Sequence, residues 1–327
     1  MANVFVTGGA GYIGSHMVAA LGEAGHAVVV YDNLSTGAAA NVLFGDLVVG
    51  DLADTDRLDK AVADAAPDVA IHFAGSVKVD ESVAKPYHYY RNNTVNTINL
   101  ADALERAGCR RIIFSSTAAV YGEPDTRTPL SESLPLAPIN PYGTSKMMAE
   151  NILRELGRLG RLSPVTLRYF NVAGADPAAR IGFDVERSPH LIPRAVRAAL
   201  GGPVALKIFG TDLPTDDGTC IRDYIHVVDL VDAHMKAMDW LLGGGGGATF
   251  NVGYGTGFSV RQVVEAVKTT LDRPAFAPEE APYREGDPYF LVADSSRLAA
   301  ELGWRPTRNA LSTIIEDTAG WIAKRGV

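Results

Sequence analysis

Short apolar, β-branched runs alternate with stretches of helical apolar spacing through the first half of this chain. Val4–Val6, Ala27–Tyr31, Val69–Phe73 and Arg111–Ser115 read as buried parallel strands, each bounded by turn residues. Between them Ile13–Glu23, Arg57–Ala65 and Thr94–Ala107 carry apolar positions at helical spacing, and Tyr142–Leu159 repeats that pattern further on. The alternation predicts an α/β fold, a Rossmann-type doubly wound parallel sheet with helices on both faces. After about Asn171 the regularity breaks. Prolines and glycines become frequent (Pro177, Pro189, Pro193, Gly201–Pro203), and loops lengthen around Thr211–Gly218 and Pro282–Asp287. Residues 1–171 therefore read as the sheet domain, with a return of the chain near 222–240, and residues 172–327 as a smaller C-terminal α/β lobe. Long loops in a compact protein usually carry function, so the substrate is expected on that lobe. The run Gly243–Gly247 reads as a surface linker between helix and strand.

Composition narrows the function classes. A hydrophobic share of 47% with 21% charged residues is ordinary for a globular core over 327 residues. The formal net charge of −8 argues against a nucleic-acid partner, which would call for a basic face. Cys109 and Cys220 are the two cysteines, with no paired spacing, and the histidines form no HExxH, so no metal is expected. No run reaches the ~18 apolar residues of a membrane span. The N-terminus opens directly on a strand pattern with no basic leader, and the expected compartment is the cytoplasm.

The first strand leads into Thr7-Gly8-Gly9-Ala10-Gly11-Tyr12-Ile13-Gly14 and then a helix. Gly8, Gly11 and Gly14 suit a tight turn, a close backbone approach to a pyrophosphate, and close packing of helix on strand. The helix start at Tyr12 and Ile13 would offer free N–H groups to the phosphates. At the end of the second strand, Asp32 followed by Asn33 can accept from a ribose 2′-OH and repel a 2′-phosphate, which favours NAD over NADP. Asp51 and Leu52 follow a later strand and suit an adenine edge, or simply a strand-end turn.

Tyr142 and Lys146 form a Tyr-x-x-x-Lys unit at a helix start, with both side chains on one face. A free phenol titrates near ~10, so a tyrosine base needs nearby positive charge, which Lys146 and a nicotinamide can supply. Thr117, after the fourth strand, offers a hydroxyl that both donates and accepts and so suits a proton relay to Tyr142. On the residues alone Ser115 and Ser116 read as capping hydroxyls.

Together these residues resemble the extended short-chain dehydrogenase/reductase family, and within it the UDP-glucose 4-epimerases, over almost the whole chain. The resemblance rests on the glycine turn, Asp32-Asn33-Leu34-Ser35, His72-Phe73-Ala74-Gly75, Glu81-Ser82 with Lys85-Pro86, and Tyr89-Tyr90-Arg91-Asn92-Asn93. It continues in Leu167-Arg168-Tyr169-Phe170-Asn171, Pro214–Thr219, Arg222–Val227 and Arg284-Glu285-Gly286-Asp287. It implies cofactor contacts at Phe73, Ala74, Asn92, Ser115 and Phe170, and substrate contacts at Asn171, His190 and Leu191. It further implies that Arg222 and Arg284 clamp the nucleotide-sugar diphosphate and that Asp287 binds the uridine ribose. Leu291 falls where relatives set pocket size, and Lys78 is offset by one residue from a lysine that some relatives place near the cofactor.

The resemblance implies transient oxidation of a UDP-hexose at C4 on retained NAD, with Tyr142 as base, the 4-keto sugar turning over, and hydride returning to its other face. A homodimer pairing through the Asn93–Ala107 and Tyr142–Leu159 helices is implied as well. Among rivals, epimerisation of UDP-N-acetylglucosamine, UDP-xylose or UDP-glucuronate stays open. A 4,6-dehydratase would carry an Asp-Glu pair where Ala118-Ala119 follow Thr117. A non-catalytic NAD-binding regulator would not need both Tyr142 and Lys146.

Overall fold

The first strand shows how the fold sorts its residues: Val4 and Val6 point to one face of a sheet and Phe5 to the other, and all three are buried. The computed structural model describes residues 1–124, 127–186, 188–283 and 288–326. Strands β1 (Asn3–Thr7), β2 (Ala27–Asp32), β3 (Asp46–Val49), β4 (Val69–His72), β5 (Arg111–Thr117) and β6 (Ser163–Tyr169) occupy the first half. Then come β7 (Asn171–Ala173), β8 (Lys207–Phe209), β9 (Ile221–His226), β10 (Ala248–Val252), β11 (Gly257–Ser259), β12 (Glu279–Ala281) and β13 (Phe290–Leu291). Seven of them form one parallel sheet in the order β10-β6-β5-β4-β1-β2-β3. The order reverses between β1 and β4, and such a switch point opens a ligand crevice at the strands' carboxyl ends.

One face of this sheet packs against the helices Tyr12–Glu23 and Val227–Leu242 through Met17, Leu21, Leu230 and Met238. The other face takes Thr55–Ala65, Asn96–Arg106 and Pro141–Arg158 through Leu58, Leu100, Leu104 and Leu153. The chain thus returns to the first sheet after residue 226, with a helix on one face and β10 beside β6. The Gly243–Gly247 run joins these two elements, held by the Trp240 indole N–H on the Gly246 carbonyl at 2.9 Å.

The remaining strands build the second lobe around β9. This strand pairs in parallel with β7 and β13 and antiparallel with β11, so Asn171 lies opposite Tyr224 and Leu291 opposite Arg222. A separate apolar core, including Phe183, Ile192, Val263, Ile314 and Trp321, underlies it. Among the described residues no helix is long and apolar enough to cross a membrane, and no His, Cys, Asp or Glu group is arranged to hold a metal.

One predicted helix is irregular. The sequence pattern over Thr94–Ala107 gives an α-helix only from Asn96 to Arg106, preceded by a π turn over Tyr90–Val95. The wider turn lets Asn93 reach across to Ser76 and Ser145, at 3.0 Å each, while Thr94 donates to the Ser145 carbonyl at 3.0 Å. Such long-range bonds outweigh the local preference for i→i−4 pairing, and π turns recur at functional sites for this reason.

Candidate active site

The glycine turn after β1 is tight because its backbone has no spare volume. Gly8 has a φ of +72°, and a Cβ there would stand 2.5 Å from the Ala74 nitrogen. A Cβ on Gly14 would run into the Gly8 carbonyl. Gly11, by contrast, meets only the Gly8 oxygen, at 3.2 Å, so its backbone is open to a ligand. The Tyr12–Glu23 helix starts directly after it with no side-chain cap, which leaves its first N–H groups for an anion. Ile13 packs against the core, and the Tyr12 hydroxyl donates to the Gly174 carbonyl at 2.6 Å, turned toward the second lobe.

Asp32 ends β2 with its two oxygens accepting from the Ala10 and Leu34 backbone N–H groups at 2.9 and 2.8 Å. Those bonds fix the carboxylate and leave lone pairs for a ribose hydroxyl. Asn33 donates to Asp51 at 2.8 Å, joining the ends of β2 and β3, and Leu52 is buried beside them. Phe73 and Ala74 follow β4 against the glycine turn. Asn92, on the π turn, donates to the Ser76 hydroxyl at 3.0 Å. This cradle fits a dinucleotide, and Ser115 adds a buried hydroxyl beside Tyr169 that makes no hydrogen bond of good geometry.

Why Tyr142 and Lys146 stand where they do is local. Asn140 caps the helix by accepting from the Gly143 N–H at 2.9 Å, and Pro141 occupies its first turn. Gly143 lets that turn press on the segment after β5, since a Cβ would lie 2.6 Å from the Ala119 carbonyl. Tyr142 is thereby brought beside the Thr117 hydroxyl and packed edge-on against the Tyr89 ring, with centroids 6.4 Å apart. Lys146 is buried; its Nζ donates to the Ser115 carbonyl at 2.9 Å and lies over the Phe114 ring.

The electrostatics differ from the simplest expectation. Desolvation raises the Tyr142 phenol above its usual range, and the Thr117 hydroxyl opposes the rise. Lys146 is not among the groups that lower it. Burial brings Lys146 itself down to about 8, opposed by Glu150. Burial thus dominates at Tyr142, and positive charge placed beside it would favour the phenolate.

On the second lobe Arg222 is buried on β9, with Nη1 donating to the Ile221 carbonyl at 2.9 Å. Leu291 is buried opposite it on β13, in one apolar cluster with Phe170, Ala118, Tyr121 and Leu130. Asn171 opens β7 immediately after Phe170. Exposed His190 precedes the Leu191–Ala199 helix, of which Leu191 is the half-buried first residue. Arg284 and Asp287 lie outside the described residues. Lys78 is exposed, and its backbone exchanges hydrogen bonds with the Tyr89 hydroxyl.

Two buried carboxylates were not singled out from the sequence. Glu150 stands one turn beyond Lys146, a spacing that could have flagged it. Asp223 sits inside β9 and accepts from the Tyr254, Gly255 and Ala293 N–H groups at 2.9, 2.9 and 3.2 Å. An acid inside the short strand Ile221–His226, between Arg222 and Tyr224, was its signal.

Known proteins with the same features carry the NAD dependent epimerase/dehydratase description, whose family model matches residues 4–253. A UDP-glucose 4-epimerase of Azospirillum brasilense is 49% identical over 97% of this chain and 91% of its own length. The crystal structure of a UDP-glucose 4-epimerase from Brucella ovis in complex with NAD is 44% identical, covers 98% of both chains and superposes with a TM-score of 0.92. Another, from Bifidobacterium longum in complex with NAD+ and UDP, is 34% identical over 99% of this chain and 98% of its own, with a TM-score of 0.91. With the glycine cradle, the Tyr142–Lys146 helix and these full-length likenesses together, the chain belongs to the NAD dependent epimerase/dehydratase family.

Proposed function

We propose that this chain is a UDP-glucose 4-epimerase that interconverts UDP-glucose and UDP-galactose on a retained NAD. The observation that carries the reading is the gathering of Thr117, Tyr142 and Lys146 at the carboxyl end of β5, beside the glycine cradle. The named relatives support it: one is described with NAD, another with NAD+ and UDP. We assign the N–H groups at Gly11–Gly14, Asp32, Asn33, Asp51, Leu52, Phe73, Ala74, Asn92, Ser115, Lys146 and Phe170 to the cofactor. Arg222 and Asn171 are assigned to the diphosphate, with Arg284 and Asp287 completing the nucleotide's hold and Leu291, His190 and Leu191 lining the sugar side. When bound, NAD supplies the hydride acceptor for C4 and a pyridinium charge that favours the Tyr142 phenolate.

In this reading Tyr142 takes the C4 hydroxyl proton, directly or through Thr117, and Lys146 holds positive charge beside the developing phenol. The protein grips the nucleotide and leaves the hexose loosely held, so the 4-keto sugar can present its opposite face before Tyr142 returns the proton. Ala118 and Ala119 put no acid or base after Thr117, which leaves elimination of water without its groups. We divide the chain at about residue 171 into a cofactor domain, to which the chain returns from residue 227 with the Val227–Leu242 helix and β10, and a substrate lobe that keeps β9, whereas the sequence pattern places the return near 222–240. Val95 at the end of the π turn, Ile98 on the helix that follows and Met148 on the Pro141–Arg158 helix are exposed at 46%, 43% and 41%, apolar positions that suit a homodimer. Both cysteines are buried and neither is in a disulfide, as suits a reducing compartment, and we place the reaction in the cytoplasm.

The test is direct. Gel-filtered protein should carry NAD(H) and convert UDP-galactose to UDP-glucose with no cofactor added, as followed by proton NMR. Protein that lacks cofactor absorbance and reduces added NAD stoichiometrically would be an ordinary dehydrogenase.

A further inference from the structure

Tyr142, Lys146 and Glu150 stand at i, i+4 and i+8 of the Pro141–Arg158 helix and so share one face. Glu150 is 3% exposed. A carboxylate that deep persists only with strong compensating partners. Arg168 of β6 supplies them, with Nε donating to the two oxygens at 3.0 and 3.2 Å and Nη2 to Oε2 at 2.7 Å. The Ser116 hydroxyl of β5 donates to Oε1. Ser116 lies between Ser115, whose carbonyl accepts a hydrogen bond from Lys146, and Thr117, which stands beside Tyr142. The carboxylate therefore touches the strand at the residue between the two that the catalytic helix already holds.

The bracing extends outward. Arg168 donates from Nη1 to the Tyr121 hydroxyl at 3.0 Å and stacks on that ring at 5.2 Å. Tyr121 donates to Asn251 of β10 at 2.7 Å, and Asn251 donates its amide to the Leu130 carbonyl and its backbone N–H to Glu132, each at 2.7 Å.

Charge is the second part. Around Lys146 stand His72 on β4, Tyr142 and Glu150 on its own helix, Arg168 and Tyr169 on β6, and Tyr89 against Tyr142. His72 is held neutral at about 3 by burial and by Lys146, and desolvation keeps the three phenols neutral. Glu150 is the group whose charge opposes the burial of Lys146.

We propose that Glu150, clamped by Arg168, is a positioning residue for the epimerisation: it ties the helix bearing Tyr142 and Lys146 to the strand bearing Ser115 and Thr117, and sets a carboxylate one helical turn from Lys146. The inference rests on the function proposed above. Glu150 touches neither sugar nor cofactor and acts through Lys146.

The experiment uses the NAD-loaded protein as purified, with UDP-galactose as substrate, and compares wild type, Glu150→Gln and Glu150→Asp. In wild type kcat should fall as pH rises past the titration of Lys146. In Glu150→Gln that alkaline limb should move down by about one pH unit, the scale of one lost neighbouring charge. Glu150→Asp should move it back toward wild type. Turnover is not the only readout: NMR of protein labelled with 13C-lysine, with the Lys146 signal identified by its loss in Lys146→Arg, should show the same downward shift.

Glu150→Gln leaves Arg168 buried without its anion, and one-sided removal of a buried pair is strongly destabilising. The double variant Glu150→Gln with Arg168→Gln relieves that unpaired charge and should show the Lys146 titration lowered by less than in Glu150→Gln, because a neighbouring cation has gone as well. An alkaline limb and a Lys146 titration unchanged from wild type in the folded variants would overturn the proposal and leave the pair a packing element. If wild type does not epimerise UDP-galactose, the function reading fails, while the Lys146 titration still decides the part played by Glu150.

Discussion

The glycine cradle and the wall proposed for the nucleotide sugar are built by opposite means. The cradle is mostly backbone: glycines that exclude a Cβ, an uncapped helix start, and a carboxylate fixed by two N–H groups on the end of a neighbouring strand. Its parts sit at the ends of adjacent parallel strands, each a short step from the next in the chain. The wall is mostly side chain. Asn171, Arg222 and Leu291 come from three distant segments and meet only because β7 and β13 both pair with β9. A backbone site is insensitive to most side-chain changes but intolerant at its glycines. A site of long side chains can be retuned one residue at a time, provided the strand beneath it holds its register.

The largest expected effect belongs to neither region. Tyr142→Phe should lower kcat at least about a hundredfold, the scale of losing a positioned acid–base group. Its NAD content and its affinity for UDP should stay at wild-type level, because cradle and wall are untouched. Near-normal turnover would remove Tyr142 as the base.

The comparison itself is broken or upheld by a pair of variants. Gly14→Ala drives a methyl into the Gly8 carbonyl. It should lose bound NAD at a stability cost of about 1–3 kcal/mol, yet keep its affinity for UDP. Arg222→Ala should do the reverse, weakening UDP by roughly 1.5–3 kcal/mol by calorimetry while NAD content holds. If either variant loses both ligands equally while folded, the two regions are not independent.

Smaller changes are expected at Leu291, which is buried with Phe170 and Ala118 and is proposed to face the sugar. Leu291→Ser should raise kcat/KM for UDP-N-acetylglucosamine, and Leu291→Tyr should suppress it while sparing the plain hexoses, by up to about 1–3 kcal/mol of discrimination. Equal loss on both substrate classes would mean that Leu291 serves only the core.

The smallest effect sharpens the point about register. Asp223 holds the ends of β10 and β13 to β9 through three N–H groups, and burial lifts its carboxyl to about 6 from an ordinary 3.8. The folded chain therefore binds this proton more tightly than the unfolded one. The resulting stability is fully present below about 3.8 and is lost as pH rises through about 6. Asp223→Asn should be less stable throughout but should lack this component, so its melting temperature should change by a few degrees less than wild type between those pH values. Parallel slopes in the two melting series would refute the assignment.

Much of the fold was legible because its signals are local. Val4–Val6, Ala27–Tyr31 and the rest appear as strands from short apolar runs, and the helices from their spacing. The candidate trio was legible for a related reason. Tyr142 and Lys146 share a helix face at any i, i+4 spacing, and Thr117 ends a strand in a fold whose strand ends converge. The π turn at Tyr90–Val95 was not, since its cause is Asn93 reaching Ser76 and Ser145, one beyond the preceding strand and the other on a helix formed much later in the chain. The expectation that Lys146 lowers Tyr142 took account of proximity but not of burial, which acts on both groups and in opposite directions.

The sequence by itself determined the parallel sheet, the glycine turn, the carboxylate after β2 and the Tyr142–Lys146 face, because each follows from steric or periodic rules acting over a few residues. Only the tertiary structure decided that β10 closes the sheet beside β6, that β9 gathers Asn171, Arg222 and Leu291, and that Glu150 meets Arg168 in the interior. Those outcomes depend on pairing between segments far apart in the chain. Their energies come from buried charges and from backbone groups that must find partners once water is removed, and no local window of residues contains both partners.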